Sequence, residues 1–193
     1  MKKTNKNTYP EELIRTLIAS FGEDVNREGL KETPARVIRM YDELLGGYNQ
    51  NPKTVFKTFR SNDFNDLVTI AAIDFYSLCE HHLIPFFGKV HIGYVPNGKI
   101  LGLSKFARVV EIFARRLQTQ ENLTKQIFDS FAENLHPQGI IITIEAEHLC
   151  VSMRGIRKKG FIVKTTMKDG FMEKKKDLVR QFYRDIKHAE NKI

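Results

Sequence analysis

Apolar positions first recur at helical spacing. Leu13, Leu17, Ile18 and Phe21 follow Pro10-Glu11-Glu12 and stop at Gly22, which predicts a short helix with acids at its positive end. A second helix is predicted from Thr33, a suitable N-cap ahead of Pro34, with Val37, Tyr41 and Leu44 on one face and Gly46-Gly47 at its close. Residues 1–50 therefore read as an N-terminal helical extension. The period then changes: Leu67 to Phe75 and Val90 to Val95 are β-branched and apolar, the second run ends at Pro96-Asn97-Gly98, and together they predict two paired strands. Ser104 can cap a helix carrying Phe106, Val109, Val110 and Phe113, while Leu123, Ile127, Phe131 and Leu135 mark another. Ile140 to His148 and Phe161 to Met167 predict two more strands, and Leu178, Phe182 and Ile186, four apart, a closing helix. Two helices, two strands, two helices, two strands and a helix make an α+β protein, with 51–193 as the main domain.

Composition narrows the class without naming a function. At 193 residues, 41% hydrophobic and 28% charged, the chain has room for one core plus the extension, and disorder, collagen and a disulfide scaffold are excluded. The net charge of +8 is unevenly placed: 19 basic and 18 acidic residues up to position 156, then 12 and 5 from 157 to 193. A basic tail with Phe182 and Tyr183 interleaved supports a nucleic-acid-binding module as the competing reading. Against it, two cysteines 71 residues apart cannot form a zinc knuckle, so no nucleic-acid partner is expected. Three lysines within Met1 to Thr8 precede no apolar segment, and no apolar run approaches the ~18 residues of a membrane span. The sequence thus predicts no signal peptide, no membrane association and a cytoplasmic, reducing location, where Cys79 and Cys150 read as thiols or metal ligands.

Cys79-Glu80-His81-His82 sets a thiol and an imidazole three residues apart just after a strand, a spacing that can turn Cys79 and His82 toward one ion. By itself such a motif more often marks a buried structural cysteine beside solvent-facing histidines. His148-Leu149-Cys150 ends another strand, so both cysteines have histidine company. Catalytic zinc keeps three protein ligands and an open position, and Cys79, His82 and Cys150 make such a set. His148 and Cys150 share a face if the strand continues that far. His81 and His148 are then spare imidazoles, the side-chain type suited to proton transfer near neutral pH. Ser104-Lys105 at a helix start, with Arg108 a turn later, forms a donor-rich corner suited to phosphate oxygens.

With these residues in view, the chain resembles the GTP cyclohydrolase I family. The resemblance runs from about Leu13 to Thr166 through GEDVNREGL, ETPARVIRMYDELLGG, SLCEHHLIPFFGKVHIGYVP, GLSKFARVVEIFARRLQTQENLTKQI and HLCVSMRGI. It implies a ββααββ T-fold after the helical extension, zinc (Zn2+) on Cys79, His82 and Cys150, and acid–base roles for His81 and His148. It also implies guanine recognition at Gln120-Glu121, where the Glu121 carboxylate can accept from N1–H and the 2-amino group together. Ser104, Lys105, Arg108, Arg154, Arg36 and Arg39 match triphosphate-side positions, Arg39 acting from a neighbouring subunit. The implied substrate is GTP, opened at C8 with His148 protonating N7 and His81 assisting. The implied assembly is a homodecamer of two pentamers with active sites at subunit interfaces. The sequence departs from the family pattern beyond Thr166, and Thr119 replaces a usual apolar residue. A zinc nucleoside deaminase lacks support, because its Pro-Cys-x-x-Cys element is missing. A related T-fold pterin or deazapurine enzyme is the nearest enzymatic alternative.

Overall fold

The computed structural model describes residues 9–61 and 64–191. Met1 to Thr8, on which the absence of a leader was read, lie outside them. The chain divides into two units, the first ending at Gly46 and the second beginning at Gly47. In the first, α1 (Tyr9–Ser20) carries Glu11 and Glu12 in its first turn and packs on α2 (Thr33–Leu44). The N-cap of α2 is Glu32, without a side-chain cap bond, so the expected Thr33 cap is corrected: Pro34 fits the first turn unaided, and the Thr33 hydroxyl donates back to the Gly29 carbonyl.

In the second unit, β1 (Thr58–Arg60) pairs antiparallel with β4 (Lys99–Leu101). The larger sheet contains β2 (Val68–Cys79), β3 (Pro85–Val95), β5 (Leu117–Gln118), β6 (Gly139–His148) and β7 (Ile162–Gly170), in the order β5-β2-β3-β6-β7. Helices α3 (Leu103–Ala114) and α4 (Gln120–Leu135) cover one face. The single turns α5 (Leu149–Ser152) and α6 (Phe171–Lys174) follow β6 and β7, and α7 (Lys176–Glu190) covers the other face. β6 explains its own uninterrupted apolar run: Ile140, Ile142 and Ile144 pack toward α3 and α4, while Ile141 packs with Phe182 and Ile186 of α7. Phe182 sits so close to the sheet that a Cβ on Gly93 would meet its ring at 2.6 Å. Its complete burial takes it out of any nucleic-acid surface. The α3 N-cap is Gly102, so Ser104 lies inside the first turn rather than at the expected cap. No described helix is long and apolar enough to cross a membrane.

One irregularity decides which way the end of β2 faces. Ile70 pairs with Ile92 and Ile73 with Val90, so Ala71 and Ala72 oppose His91 alone, a bulge in which Ala72 takes φ 59°. Before the bulge Val68 and Ile70 face the helices; after it Ile73, Phe75 and Cys79 do. The extra residue inverts the alternation and delivers Cys79 to the face covered by α3 and α4.

His91 accepts the Ala72 N–H on Nδ1 at 3.2 Å, and its buried Nε2 has no partner among the described residues. Burial pushes this imidazole below its ordinary value of 6.5; Lys164 and Lys89 act in the same direction and Glu145 opposes. The unfolded chain therefore takes up a proton first as pH falls, and stability is expected to drop below about pH 6.5. Exchange of His91 for asparagine, which keeps an acceptor for Ala72, should flatten the fall of melting temperature between pH 7 and 5. An unchanged slope would refute the assignment.

Candidate metal centre and active site

The hairpin joining β2 to β3 builds half of the centre. Cys79 N–H donates to the Ile84 carbonyl at 3.0 Å, and the Cys79 carbonyl accepts from the N–H groups of His82 (3.3 Å) and Leu83 (2.8 Å). This is one helical turn, closed by Leu83 at φ 54°, and it brings positions 79 and 82 to one side. Cys79 Sγ lies 3.7 Å from His82 Nδ1 and 3.9 Å from His81 Nδ1. Glu80 N–H ties the loop to β5 through the Gln118 carbonyl.

The other half comes from the end of β6. That strand stops at His148 and the chain enters α5, so the expected sharing of a strand face by His148 and Cys150 is corrected. A helical turn, not strand alternation, swings Cys150 toward Cys79. The ligating atoms of Cys79, His82 and Cys150 all lie within 4.8 Å of one another, a group that could hold a metal ion. Burial, then the charge and hydrogen bond of Cys79, push the Cys150 thiol up, while Arg154 opposes. Two thiols pressed together in this way ionise far more readily once a cation joins them.

His148 stands beside this group. Its ring stacks on Phe86, its partner across the β3–β6 ladder, with centroids 4.7 Å apart and planes 5° from parallel. Its Nε2 is 2.9 Å from Gln120 Oε1. Burial lowers its pKa, and the nearby Glu121 charge pulls the other way. Gln120 and Glu121 open α4, whose N-cap Thr119 accepts from the Asn122 N–H at 3.2 Å, so the residue that departs from the family pattern is the helix cap. Glu121 is exposed, whereas the Gln120 side chain turns inward and its amide is taken up by protein partners. Any part Gln120 takes in substrate binding passes through its main chain or through His148. Phe86 was not legible as a site residue, because only the strand register places it under His148.

The structure thus gathers Cys79, His81, His82, Gln120, Glu121, His148, Cys150 and Arg154 at one end of the sheet. Ser104 and Lys105 lie elsewhere. They occupy the first turn of α3, whose far end leads into β5 beside Cys79, and twelve residues of helix span about 18 Å. Lys105 and Arg108 instead line a separate cavity of about 480 Å³ with Lys57, Asn51 and Glu111. Lys57 has no sequence motif to signal it. Arg36 and Arg39 sit on α2 in the first unit, where Arg36 pairs with Glu32 at 2.6 Å.

Comparison with known proteins gives this geometry a family. A family model described as GTP cyclohydrolase I matches residues 10–187. The chain belongs to the GTP cyclohydrolase I family. The GTP cyclohydrolase 1 of Clostridium perfringens (strain 13 / Type A) is 51% identical over 165 residues, covering 84% of this chain and 89% of the relative. That of Brucella canis is 50% identical over 173 residues, covering 88% and 81%. The GTP cyclohydrolase I match extends past Thr166 and takes in most of α7, so the segment that departs from the motif pattern still lies within the family's span. Among solved structures, the archaeosine synthase QueF-Like in the apo form is similar over 54% of this chain and 94% of that one, at 19% identity and a TM-score of 0.45.

Proposed function

We propose that the chain opens the imidazole ring of GTP by hydrolysis at C8, releases that carbon as formate and forms 7,8-dihydroneopterin triphosphate, on the T-fold that its family resemblance implies. The observation that carries this reading is the convergence of two thiols and an imidazole with a second, non-ligating imidazole and a carboxylate, in a chain of this family. Zinc suits the donors. Zn–S near 2.3 Å and Zn–N near 2.0 Å at a tetrahedral angle set a sulfur–nitrogen edge of about 3.5 Å, against 3.7 Å between Cys79 Sγ and His82 Nδ1. When bound by Cys79, His82 and Cys150, zinc supplies a Lewis acid and a water acidified toward neutrality.

The chain's own residues do the rest. Glu121 accepts from N1–H and the 2-amino group, which fixes the base and rejects adenine, whose edge cannot offer that pair. His148 hands a proton to N7, and His81, exposed beside Cys79, exchanges protons with solvent. Arg154 meets the phosphates from the metal end. Arg36 and Arg39 are further triphosphate-side residues by the family resemblance, and Ser104, Lys105 and Arg108 serve the site of another copy of the chain. Their distance along α3 from the metal end supports a site shared between subunits. So do the open sheet edge at β7 and the short β5 on the other side, which suit pairing in a homodecamer of two pentamers. The cytoplasm, where thiols stay reduced, is the fitting location.

Zinc-loaded protein incubated with GTP is expected to yield formate and a product that oxidises to a fluorescent neopterin. Absence of both, with zinc verified, overturns the reading. Formate release by the His148→Ala protein at the unaltered rate would remove the role given to His148. A light-scattering mass near the 22.4 kDa of one chain would remove the shared site.

A further inference from the structure

The Gln120 amide settles which nitrogen of His148 can work. Its Nε2 lies 3.0 Å from the Ile144 carbonyl oxygen, 3.1 Å from that of Val163 and 3.0 Å from Thr165 Oγ1. Two of these partners are backbone carbonyls and can only accept, so this end of the amide is the NH2 group; a flipped amide would set oxygen against oxygen. The hydroxyls run in one consistent direction. Thr124 donates to the Gln120 main-chain carbonyl at 2.8 Å, Thr165 donates to Thr124 at 2.7 Å, and a Thr165 lone pair remains for Gln120 Nε2. Oε1 is left facing His148 Nε2 at 2.9 Å, and an amide oxygen accepts only. Rotating the imidazole by half a turn would break this bond while keeping the stack on Phe86, so the bond and not the stack selects the orientation.

We propose that Gln120 is a positioning residue that locks His148 with its hydrogen on Nε2, so that proton exchange with the substrate takes place at Nδ1. This rests on the reading of His148 as the acid–base group. In the step, the Nδ1–H bond breaks with its electron pair left on Nδ1, and the N7 lone pair takes the proton. The hydrolytic water is the co-reactant: it supplies the hydroxyl that bonds to C8 and the proton that restores the balance. Nε2–H stays on Gln120 Oε1 throughout, and the Thr165 hydroxyl with the Ile144 and Val163 carbonyls holds the amide from behind, Thr124 orienting the Thr165 hydroxyl. Conserving one tautomer in this way is the usual task of a partner on the far nitrogen of a working histidine.

Magic-angle-spinning NMR of zinc-loaded protein labelled with 15N-histidine tests the lock directly, His148 being assigned by its loss in His148→Ala. The expected neutral signature is a protonated Nε2 and a bare Nδ1; the opposite tautomer overturns the proposal. Because this readout needs no turnover, it is independent of whether His148 carries the catalytic proton. Kinetics give a second arm. With zinc content and assembly mass unchanged, Gln120→Leu should lower kcat for formate release by roughly 10–100-fold, leave KM for GTP within about twofold and show a mixed tautomer at His148. An unchanged kcat, or a raised KM with kcat intact, overturns it. If Gln120→Leu loses its metal or its fold, the spectrum of the unaltered protein decides alone.

Discussion

Exchange of Cys150 for alanine is expected to strip the chain of stoichiometric zinc and to lower formate release from GTP by well over the ~100-fold that loss of an outer-sphere partner costs. The reason lies in the donor count. Cys79, His82 and Cys150 are the whole cluster that the described residues offer, and removing one leaves two protein donors where a catalytic zinc needs three. The histidines make the test sharper. His81 Nδ1 and His82 Nδ1 lie 3.9 and 3.7 Å from Cys79 Sγ, so distance to that sulfur scarcely separates them. What separates them is Cys150, whose sulfur closes a triangle with His82 and not with His81. His82→Ala should therefore lose metal as Cys150→Ala does, whereas His81→Ala should retain about one zinc per chain and lose only rate. Metal content after gel filtration, read by atomic emission beside the formate assay, separates these outcomes. A Cys150→Ala protein that still carried one zinc per chain at full activity would sink the assignment.

The residues at this centre were legible because their chemistry is rare: two cysteines in the chain, each with a histidine within three positions. How the fold brings them together was not legible. Alternation read along Leu67 to Phe75 carries no mark of the bulge at Ala71 and Ala72, because two alanines fit either face and the left-handed turn at Ala72 is held by a contact from the neighbouring strand, the His91 ring. Without that extra residue Cys79 would point to the α7 side. The helices were legible from their spacing, and Phe106, Val109, Leu123, Ile127 and Phe131 are all in the core as the period implies. Their starts were less so: α2 and α3 begin without side-chain caps, and the residues that looked like caps, Thr33 and Ser104, lie inside the first turn. Gln120 was the hardest to read. A glutamine beside a glutamate expected to read guanine suggests a substrate contact, and only the approach of β6 and β7 shows two carbonyls waiting for its amide.

Glu121 carries the second large effect, and its signature is selectivity rather than rate alone. A carboxylate can accept from both N1–H and the 2-amino group of guanine, and inosine triphosphate differs by lacking that amino group. One charge-assisted hydrogen bond is worth about 1.5–3 kcal/mol, so the unaltered protein is expected to prefer GTP over inosine triphosphate by roughly 10–150-fold in kcat/KM. Loss of both bonds in Glu121→Ala should lower kcat/KM for GTP by about 10²–10⁴-fold. Glu121 is exposed in the single chain and its bonds there are weakened by water, so the upper part of that range requires the bound base and a neighbouring copy to cover it. The ratio between the two nucleotides is the cleaner readout, since a fault in folding or metal loading lowers both rates together. In Glu121→Ala nothing remains to sense the 2-amino group, and the ratio should fall close to one. Glu121→Gln, with one acceptor and one donor, should also lose most of it, because its NH2 faces a donor on the base in either amide orientation. The measurement is formate release from each nucleotide by zinc-loaded protein, below saturation. A Glu121→Ala protein that kept the full preference for GTP would place guanine recognition elsewhere in the site.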